Sequence, residues 1–581
     1  MTTTATRGQC ANVNWKTTLV VVAALFIGFA VLVRIATRLP EPPSHQVFIN
    51  GDVLTMDTDN RVVEALSVRA DRVEAVGTTD RIMALVDDDT EVVDLRGRAL
   101  LPGFIDAHGH FPGSGLSAIA ADLNSPPIGD KTTMAEVIAA LRAQAEKTEP
   151  GKWVTGYGYD DTLLAEQRHP TRAELDAVST EHPVAAMHIS GHMLVANSLA
   201  LEAVGIDAAT PDPVGGVIGR RAGSMEPNGL LEETARLEVI KHMQEMSLAD
   251  TYRLMKSAVN QYAAVGVTTA QSGGVSRKLA QGLALFSRLG VIPQRLVVFP
   301  FESDFRDVLL NGQYDPADYS GDRLVMGAVK IVADGSIQGY TGYLSLPYQT
   351  PYHGDPGYRG YPAMPREELF AQVEALHRAG YQIAIHGNGD EAIEDILDAF
   401  EAAQRAHPVE DPRMILIHAQ MAREDQIARM KALGVTPSFF SAHTWYWGDR
   451  HRDIFLGRER SARISPARWA RDRDLRFSSH LDTPVTPMLP LQAVWSQVYR
   501  QTVGGDVLGP DQRIGVMDAL RAVTIDAAWQ VFQDDNRGSL EPGKYADLVI
   551  LSGNPLDDPM AMRELRVEQT VVGGATIYRH P

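Results

Sequence analysis

The sequence predicts an α/β protein: a (β/α)8 TIM-like barrel with a composite β-sandwich domain from both chain ends, an inserted cap segment and an N-terminal transmembrane helix. Three observations lead to this prediction. Apolar strand-like runs alternate with helical periodicity between Gly103 and Asp482. Short β-like runs occur near both ends, and residues 17–33 form an uninterrupted apolar run. Near-continuous apolar strands that alternate with helices indicate a parallel sheet covered on both faces.

Composition excludes several classes of protein. With 581 residues, 44% hydrophobic and 22% charged, the chain suits one large catalytic domain with additions. The balance of 54 basic against 73 acidic residues gives a net charge of −19, which argues against a nucleic-acid partner. Cys10 is the one cysteine, so an intrachain disulfide and a cysteine-based zinc site are both excluded.

The N-terminal region predicts a membrane anchor. A polar tail of residues 1–16 precedes the apolar run 17–33. The length of this run is at the short end of the range that spans a bilayer. A proline-rich linker of residues 34–44 follows. A cleaved signal peptide is the competing interpretation, but no small-x-small cleavage site follows the run. We therefore predict a single-pass protein of the cell membrane, anchored in the lipid bilayer with its body on the outer side.

The two ends of the chain predict one β-domain. Short runs at 46–51, 63–68, 73–77 and 91–95 are separated by glycine and Asp/Asn turn signals, and a matching set closes the chain from residue 545. Each set is too small to form a sheet of good size alone. The sequence thus predicts a composite β-sandwich from residues 45–99 and 538–581.

The central part of the chain, residues 100–537, predicts the barrel. The strand candidates are the opening run 100–110, then 267–270, 296–300, 325–332, 382–386, 414–418, 435–440 and 476–480. Eight such units with helices between them are typical of a (β/α)8 barrel. The segment of residues from about 124 to 260 separates the first two strands and is far longer than a βα loop needs. It is therefore predicted to be a cap inserted at the top of the barrel.

Two histidines end the opening strand. His108 and His110 are one residue apart, so in an extended strand their side chains share a face. Imidazole pairs at the end of a buried strand suit a divalent transition metal. Alone the pair is weak evidence, because His-x-His also occurs in solvated loops.

Further polar residues fall at the ends of other predicted strands. Lys330 lies within the apolar fourth strand, His386 ends the fifth, His418 ends the sixth, and Asp482 follows the eighth. The carboxyl ends of barrel strands meet on one rim, where catalytic groups are found. These residues and the two opening histidines all fall at strands that contribute to this rim, so the sequence predicts that they form one shared site.

Several motifs resemble those of a known family. They are PGFIDAHGH, VKIVADGS, IHGNGD, IHAQ, LDTPV and EPGKYADLVIL. From about residue 46 to residue 578 the chain resembles the amidohydrolase superfamily, specifically amidohydrolase family 3, the YtcJ-like branch. Two positions depart from the family pattern: Leu481 stands before Asp482 where relatives usually carry serine, and Gly387 follows His386 where relatives usually carry alanine. Neither departure removes a predicted ligand.

The resemblance implies a centre of one or two divalent metal ions, usually zinc. The implied ligands are His108, His110, Lys330, His386, His418 and Asp482. Lys330 matches the lysine that two-metal members carboxylate, which gives N6-carboxylysine and turns a cation into an anionic carbamate able to bridge two ions. Asp482 is implied to be the general base that takes a proton from a metal-activated hydroxide and returns it to the leaving nitrogen.

Four residues are predicted to contact substrate. His192 and Asn197 lie in the inserted segment, and His443 and Trp445 follow the seventh strand. Packing roles stay open for all four. His480 lies two residues before Asp482, so it is either support for the site or a buried structural histidine.

The predicted function is metal-dependent hydrolysis of a non-peptide C–N bond in a small molecule, as in an N-substituted amide, a formamide or a cyclic amide. A deaminase of the same superfamily is the first alternative, but such enzymes typically carry His-x-x-Glu after the fifth strand, and this chain has His386-Gly387-Asn388-Gly389. The second alternative is a catalytically inactive, membrane-tethered regulatory or binding protein. The sequence leaves a homo-oligomer open.

Overall fold

The structure is a computed structural model that describes residues 39–243 and 246–581. The predicted tail, the predicted transmembrane segment 17–33 and the first part of the linker lie outside the described residues. Within the described ranges, no helix has the length and apolar character that a membrane crossing requires.

Strands from the two ends of the chain form two sheets, one of which contains strands from both ends. The N-terminal strands are β1 (His45–Ile49), β2 (Asp52–Leu54), β3 (Val62–Val63), β4 (Ala65–Arg69), β5 (Arg72–Gly77), β6 (Thr90–Asp94) and β7 (Ala99–Pro102). The C-terminal strands are β23 (Leu548–Leu551), β24 (Val567–Val572) and β25 (Ala575–Arg579). They form sheets in the orders β5-β4-β1-β6 and β25-β24-β23-β7-β2-β3. The second sheet joins the ends because β23 pairs antiparallel with β7, with Val549 opposite Leu101.

The two sheets share one apolar core. Phe48 and Leu66 from the first sheet lie in the same buried cluster as Leu100 and Leu548 from the second. Removing such side chains from water is the main driving force for bringing two sheets face to face.

The central region contains two parallel sheets. The first is made of β8 (Phe104–Ile105), β15 (Val267–Val275), β16 (Arg295–Pro300) and β17 (Leu324–Met326). The second is made of β18 (Val329–Val332), β19 (Ile383–Gly387), β20 (Met414–His418), β21 (Val435–Phe439) and β22 (Ser478–Ser479). Their orders are β17-β16-β15-β8 and β18-β19-β20-β21-β22, and every neighbouring pair is parallel.

Two predicted strands are divided in the structure. The opening run splits at Gly103 into β7, in the sheet of the chain ends, and β8, in the parallel sheet. A Cβ at Gly103 would lie 2.1 Å from Thr268 Cγ2, so the crossing between the two sheets needs glycine. The fourth predicted strand breaks into β17 and β18 around Gly327, where a Cβ would lie 2.6 Å from Phe299 Cε1.

Backbone contacts connect the two parallel sheets at both sides. Phe301 and Lys330 form an isolated parallel bridge. The His110 amide donates to the Thr483 carbonyl at 2.7 Å, and the Asp482 amide donates to the His108 carbonyl at 3.2 Å. These bonds bring the segments that follow β8 and β22 side by side.

The helices alternate with the strands. Those of the N-terminal part and the inserted segment are α1 (Thr79–Met83), α2 (Met134–Ala145), α3 (Arg172–Asp176), α4 (Ser198–Ala203) and α5 (Leu237–Met243). Those between the parallel strands are α6 (Leu248–Ala264), α7 (Arg277–Arg288), α8 (Glu302–Leu310), α9 (Arg366–Arg378), α10 (Asp390–Ala406), α11 (Glu424–Leu433), α12 (His443–Arg450), α13 (Gly457–Ser461) and α14 (Ala467–Arg471). The chain continues with α15 (Pro490–Tyr499), α16 (Val516–Arg521) and α17 (Ile525–Gln530). In α10, Ile393, Ile396 and Phe400 repeat at helical spacing and are buried, so one stripe faces the sheet.

The inserted segment contains its own sheet. It consists of β9 (Ala121–Asp122), β10 (Val154–Tyr159), β11 (Val184–His188), β12 (Met193–Ala196), β13 (Gly216–Arg220) and β14 (Pro227–Glu233). The strand order is β13-β14-β12-β11-β10-β9. Helix α2 covers it through Val137 and Leu141, which share a buried cluster with Leu123 and Val154.

Candidate metal centre

Strand ends bring the predicted polar residues together. His108 and His110 follow β8, Lys330 lies in β18, and Asp482 follows β22. His386 and His418 lie at the carboxyl-terminal ends of β19 and β20, which are neighbours in the sheet. Because the strands are parallel, these ends share one edge, and the side chains contact one another across it.

The first half of the centre is formed by His108, His110 and Asp482. Asp482 Oδ1 lies 3.2 Å from His110 Nε2 and 3.6 Å from His108 Nε2. One ligand atom from each of these residues lies within 4.8 Å of the others, a spacing that a single ion can satisfy. The His110 side chain is 43% exposed, so this half faces the open side of the site.

Gln271, a residue that the sequence analysis missed, fixes the orientation of His108. His108 Nδ1 donates to Gln271 Oε1 at 2.9 Å, while Gln271 Nε2 donates to the Ala107 carbonyl at 2.7 Å. The Ala107 bond identifies which end of the amide is the oxygen, so His108 carries its proton on Nδ1. Nε2 then points its lone pair at the centre, which is how outer partners orient metal-binding histidines. The predicted second strand ended at residue 270, one position too early to include Gln271.

The second half of the centre is formed by His386 and His418. His386 Nε2 donates to the Gly335 carbonyl at 3.2 Å, so Nδ1 presents its lone pair to His418 Nε2, 2.9 Å away. His418 has φ +71° and Asp482 has φ +53°. Left-handed backbone at non-glycine residues is uncommon and here turns both side chains inward.

Lys330 is the buried basic residue between the two halves of the centre. Its Nζ lies 3.3 Å from His108 Nε2, and the residue is 2% exposed. Burial lowers the pKa of Lys330 to about 7, because the charged ammonium loses its hydration, while the negative charge of Asp482 partly opposes this. A substantial fraction of neutral amine is therefore present near neutral pH.

The remaining pKa values favour ligand-ready forms. Burial lowers the pKa of His108, His386 and His418 well below the usual range, so these imidazoles stay neutral. Burial alone would raise the pKa of Asp482, but the neighbouring imidazoles of His110 and His108 hold that pKa well below the usual value, so Asp482 is an anion.

This donor set fits a divalent cation. Asp482 Oδ1 and His418 Nδ1 are buried polar atoms that have no hydrogen-bond partner among the described residues. Such atoms are costly unless an ion or water satisfies them. A Cβ at Gly273 would lie 2.2 Å from His108 Cε1, so the backbone leaves room for the imidazole only because residue 273 is glycine. Neutral imidazoles and carboxylate oxygens, without thiolates, are ligands that suit zinc and similar ions.

Comparison with known proteins identifies the family. A family model described as "Amidohydrolase family" matches residues 91–578. The chain belongs to the amidohydrolase family. It is a metal-dependent hydrolase that acts on carbon–nitrogen bonds, so the resemblance drawn from the motifs is confirmed.

Individual amidohydrolases are similar to this chain over most of its length. An N-substituted formamide deformylase from Arthrobacter pascens is 31% identical over 540 residues, which are 92% of this chain and 98% of the relative. The putative amidohydrolase YtcJ of Bacillus subtilis (strain 168) is 27% identical, with 92% and 99% of the two chains covered. A solved structure of an uncharacterized metal-dependent hydrolase from Pyrococcus horikoshii OT3 superposes with a TM-score of 0.70 at 26% identity, covering 93% of this chain and 100% of that one.

The inserted segment of this amidohydrolase brings one imidazole to the centre. The ring centre of His192 lies 5.0 Å from that of His386. His192 Nδ1 donates to Glu233 Oε2 at 2.9 Å, so Nε2 is directed away from Glu233. Glu233 was missed in the sequence analysis, although an acidic residue at the end of an apolar strand was an available signal. Its unusual backbone, φ +49° and ψ −120°, places the carboxylate behind His192.

Asn197 does not serve as a substrate contact in this structure. Its side-chain oxygen accepts from the amides of Val184 and Ala200, each at 2.9 Å, and its side-chain nitrogen donates to the His182 carbonyl at 3.0 Å. The residue is 0% exposed. Asn197 therefore caps α4 and ties it to β11, and it offers no free polar atom.

The segment after the seventh predicted strand forms α12, and the two remaining candidates in it have different surroundings. The ring of His443 lies 4.0 Å from that of Phe440, which in turn lies 5.2 Å from that of His480, so His443 is linked to His480 through Phe440. Trp445 instead packs against Trp495 at 5.4 Å and under the Arg563 guanidinium at 4.2 Å. Its described contacts lead to the C-terminal segments and not to the metal centre, so the prediction that Trp445 contacts substrate is not supported.

Proposed function

We propose that this chain hydrolyses the C–N bond of an N-substituted formamide or of a closely related small amide or cyclic amide. The observation that carries the proposal is the convergence of four histidine side chains, Lys330 and the Asp482 carboxylate at one edge of the parallel sheets. The similarity to an N-substituted formamide deformylase along nearly the whole chain supports formamides as the first substrates to test.

The proposed metal ligands are the six residues predicted from the sequence. They are His108, His110, Lys330, His386, His418 and Asp482. When bound, a divalent ion such as zinc lowers the pKa of water and polarises the substrate carbonyl. Carboxylation of Lys330 is part of the proposal: the neutral amine that burial favours attacks CO2, forms the N–C bond of a carbamate and releases one proton. The carbamate would supply two anionic oxygens to one or two ions.

Asp482 is proposed to move the proton. Its carboxylate is anionic and lies on the open side of the centre beside His110, within reach of an entering water. It accepts a proton as the water oxygen attacks the carbonyl carbon. It then donates the same proton to the nitrogen as the C–N bond breaks, so one side chain serves as base and then as acid.

His192 and Glu233 are proposed to position the substrate carbonyl. The Glu233 carboxylate fixes the proton of His192 on Nδ1, and the side chain of His192 is 13% exposed beside His386. A rigidly held imidazole next to the centre lowers the cost of aligning the carbonyl for attack.

The architecture around the site is proposed in three parts. We infer that the two parallel sheets close into a (β/α)8 barrel, supported by the Phe301–Lys330 bridge and the backbone bonds between the segments after β8 and β22. The composite β-sandwich of residues 45–99 and 538–581 and the cap inserted at about 124–260 complete the proposed domain organisation. The anchor of residues 17–33 and the outer-face location stay proposals that rest on the apolar run alone.

A deaminase is less well supported. The third residue after His386, where the deaminase pattern has glutamate, is Gly389, and a Cβ there would lie 1.9 Å from the Tyr343 carbonyl oxygen. The next residue, Asp390, is held away by Ser345, whose hydroxyl donates to it at 2.6 Å.

Metal analysis and a substrate panel test the proposed function. The purified full chain is expected to contain zinc or manganese, to release formate from N-substituted formamides, to lose activity with a chelator and to regain it with zinc. N-acyl amides and cyclic amides form the comparison panel. Absence of metal together with absence of turnover would support the inactive alternative, and ammonia release from aminopurines would support the deaminase.

A further inference from the structure

Besides the four predicted histidine ligands and His192, one more histidine lies against the metal centre. His480 directly follows β22 and lies two residues before Asp482. It is 2% exposed, and neither Nδ1 nor Nε2 has a hydrogen-bond partner among the described residues. A neutral imidazole has one N–H donor and one acceptor nitrogen. Leaving both without a hydrogen-bond partner in the protein interior costs free energy.

The position of the ring indicates what would satisfy it. The ring centre of His480 lies 5.2 Å from that of His108 and 5.0 Å from that of His418. The proposed ligand pair His108 and His110 has the same separation, 5.2 Å. Two imidazoles bound to one tetrahedral ion with metal–nitrogen distances of about 2.0–2.1 Å have ring centres about 5 Å apart.

The surroundings leave His480 few other partners. Its third ring neighbour is Phe440, at 5.2 Å, which offers no hydrogen-bond acceptor in the plane of the imidazole.

We propose that His480 supplies a fifth imidazole nitrogen to the metal centre, beyond the four histidines that the family pattern assigns. The inference rests on the metal centre of the proposed function. It predicts that the bound ions contact five imidazoles per chain, and that removing His480 changes metal binding directly.

The experiment uses the full chain, stripped of metal and reloaded with zinc. X-ray absorption gives the imidazole ligands per zinc ion, and multiplying by the zinc content gives the number per chain. Chelator competition gives the zinc affinity, and the visible spectrum of the cobalt-loaded protein reports the donor set. The variant is H480Q. The matched control is H451Q. In the described part of the chain, His451 is also fully buried and its Nδ1 has no partner, yet its ring contacts His443 and Phe455 and none of the proposed ligands.

We expect five imidazoles in the wild type and four in H480Q, with zinc affinity lowered about 10- to 100-fold or more and an altered cobalt spectrum. H451Q keeps the wild-type values. Four imidazoles in the wild type, or wild-type affinity and spectrum in H480Q, overturn the inference and leave the proposed function standing. Failure of the wild type to bind zinc overturns both. If H480Q does not fold, the wild-type count decides.

Discussion

Gln271 Oε1 accepts a hydrogen bond of 2.9 Å from His108 Nδ1, and this contact determines which nitrogen of His108 faces the centre. Replacing Gln271 by leucine removes the acceptor and lets the imidazole change tautomer and rotate. We expect zinc affinity to fall about 10- to 100-fold, measured by chelator competition. The control is Q294L, because Gln294 is also buried and bonds the Val259 carbonyl without touching a proposed ligand. Equal losses in both variants would contradict the prediction.

Asp482 is the residue on which turnover depends most. We expect D482A to lose at least about 100-fold in kcat, because it removes the carboxylate that is proposed to take the proton. Metal content, measured by plasma mass spectrometry, stays largely intact, since the histidines and Lys330 remain. D411N serves as the control, because Asp411 pairs with Arg413 at the surface. Near-normal turnover in D482A would exclude Asp482 as the base.

The His192–Glu233 pair separates positioning from metal binding. In E233Q the charged hydrogen bond to His192 becomes a neutral one, a loss of about 1–1.5 kcal/mol, which corresponds to roughly 5- to 10-fold in kcat/KM. Metal content is expected to be unchanged. The neighbouring E232Q is the matched control, because Glu232 accepts from Tyr352 and Tyr361 and not from His192. A loss of metal in E233Q would show a structural role instead.

Asn197 is expected to affect stability and not substrate binding. N197A removes three internal hydrogen bonds and leaves the amides of Val184 and Ala200 without their acceptor. We expect the free energy of unfolding to fall by about 1–3 kcal/mol, measured by urea denaturation. KM for the substrate stays within error of the wild type. A raised KM with unchanged stability would restore Asn197 as a substrate contact.

A buried ion pair connects the parallel sheet to the strands of the chain ends and predicts a pH dependence of stability. Arg295 Nε donates to Asp547 Oδ2 at 2.7 Å, and each side chain is 4% exposed. Burial would raise the pKa of Asp547, but the Arg295 charge and hydrogen bond hold it below the usual value. The pair therefore stabilises the fold above the unfolded-state pKa of about 3.9 and loses this contribution as the pH falls through the lower folded-state pKa.

The variant that tests this pair is D547N. We expect it to lower the free energy of unfolding by about 3–5 kcal/mol at neutral pH, because it leaves a buried guanidinium unpaired. Denaturant titrations should show the difference from wild type shrinking only in the acid range below about pH 4. D71N, at an exposed aspartate near Arg72, is the control. A difference that stays constant down to the acid limit would contradict the linkage.

The sequence by itself determined the alternation of strands and helices and the residues that end the strands. Apolar runs of the right length predict buried parallel strands because both faces of such a sheet are covered. His386, His418 and Lys330 were therefore found from their places in those runs. The motifs added the family and with it the chemistry of carbon–nitrogen bond hydrolysis.

Only the tertiary structure decided which polar atoms meet. Gln271 and Glu233 act through single hydrogen bonds between segments far apart in the chain, which no local pattern encodes. Asn197 resembled a site residue, but its three bonds are all internal. The tertiary structure also placed His480 beside the centre, with neither ring nitrogen hydrogen-bonded to any of the described residues. Periodicity predicts the face on which a side chain lies, whereas hydrogen bonding depends on distances of a few tenths of an ångström that packing alone fixes.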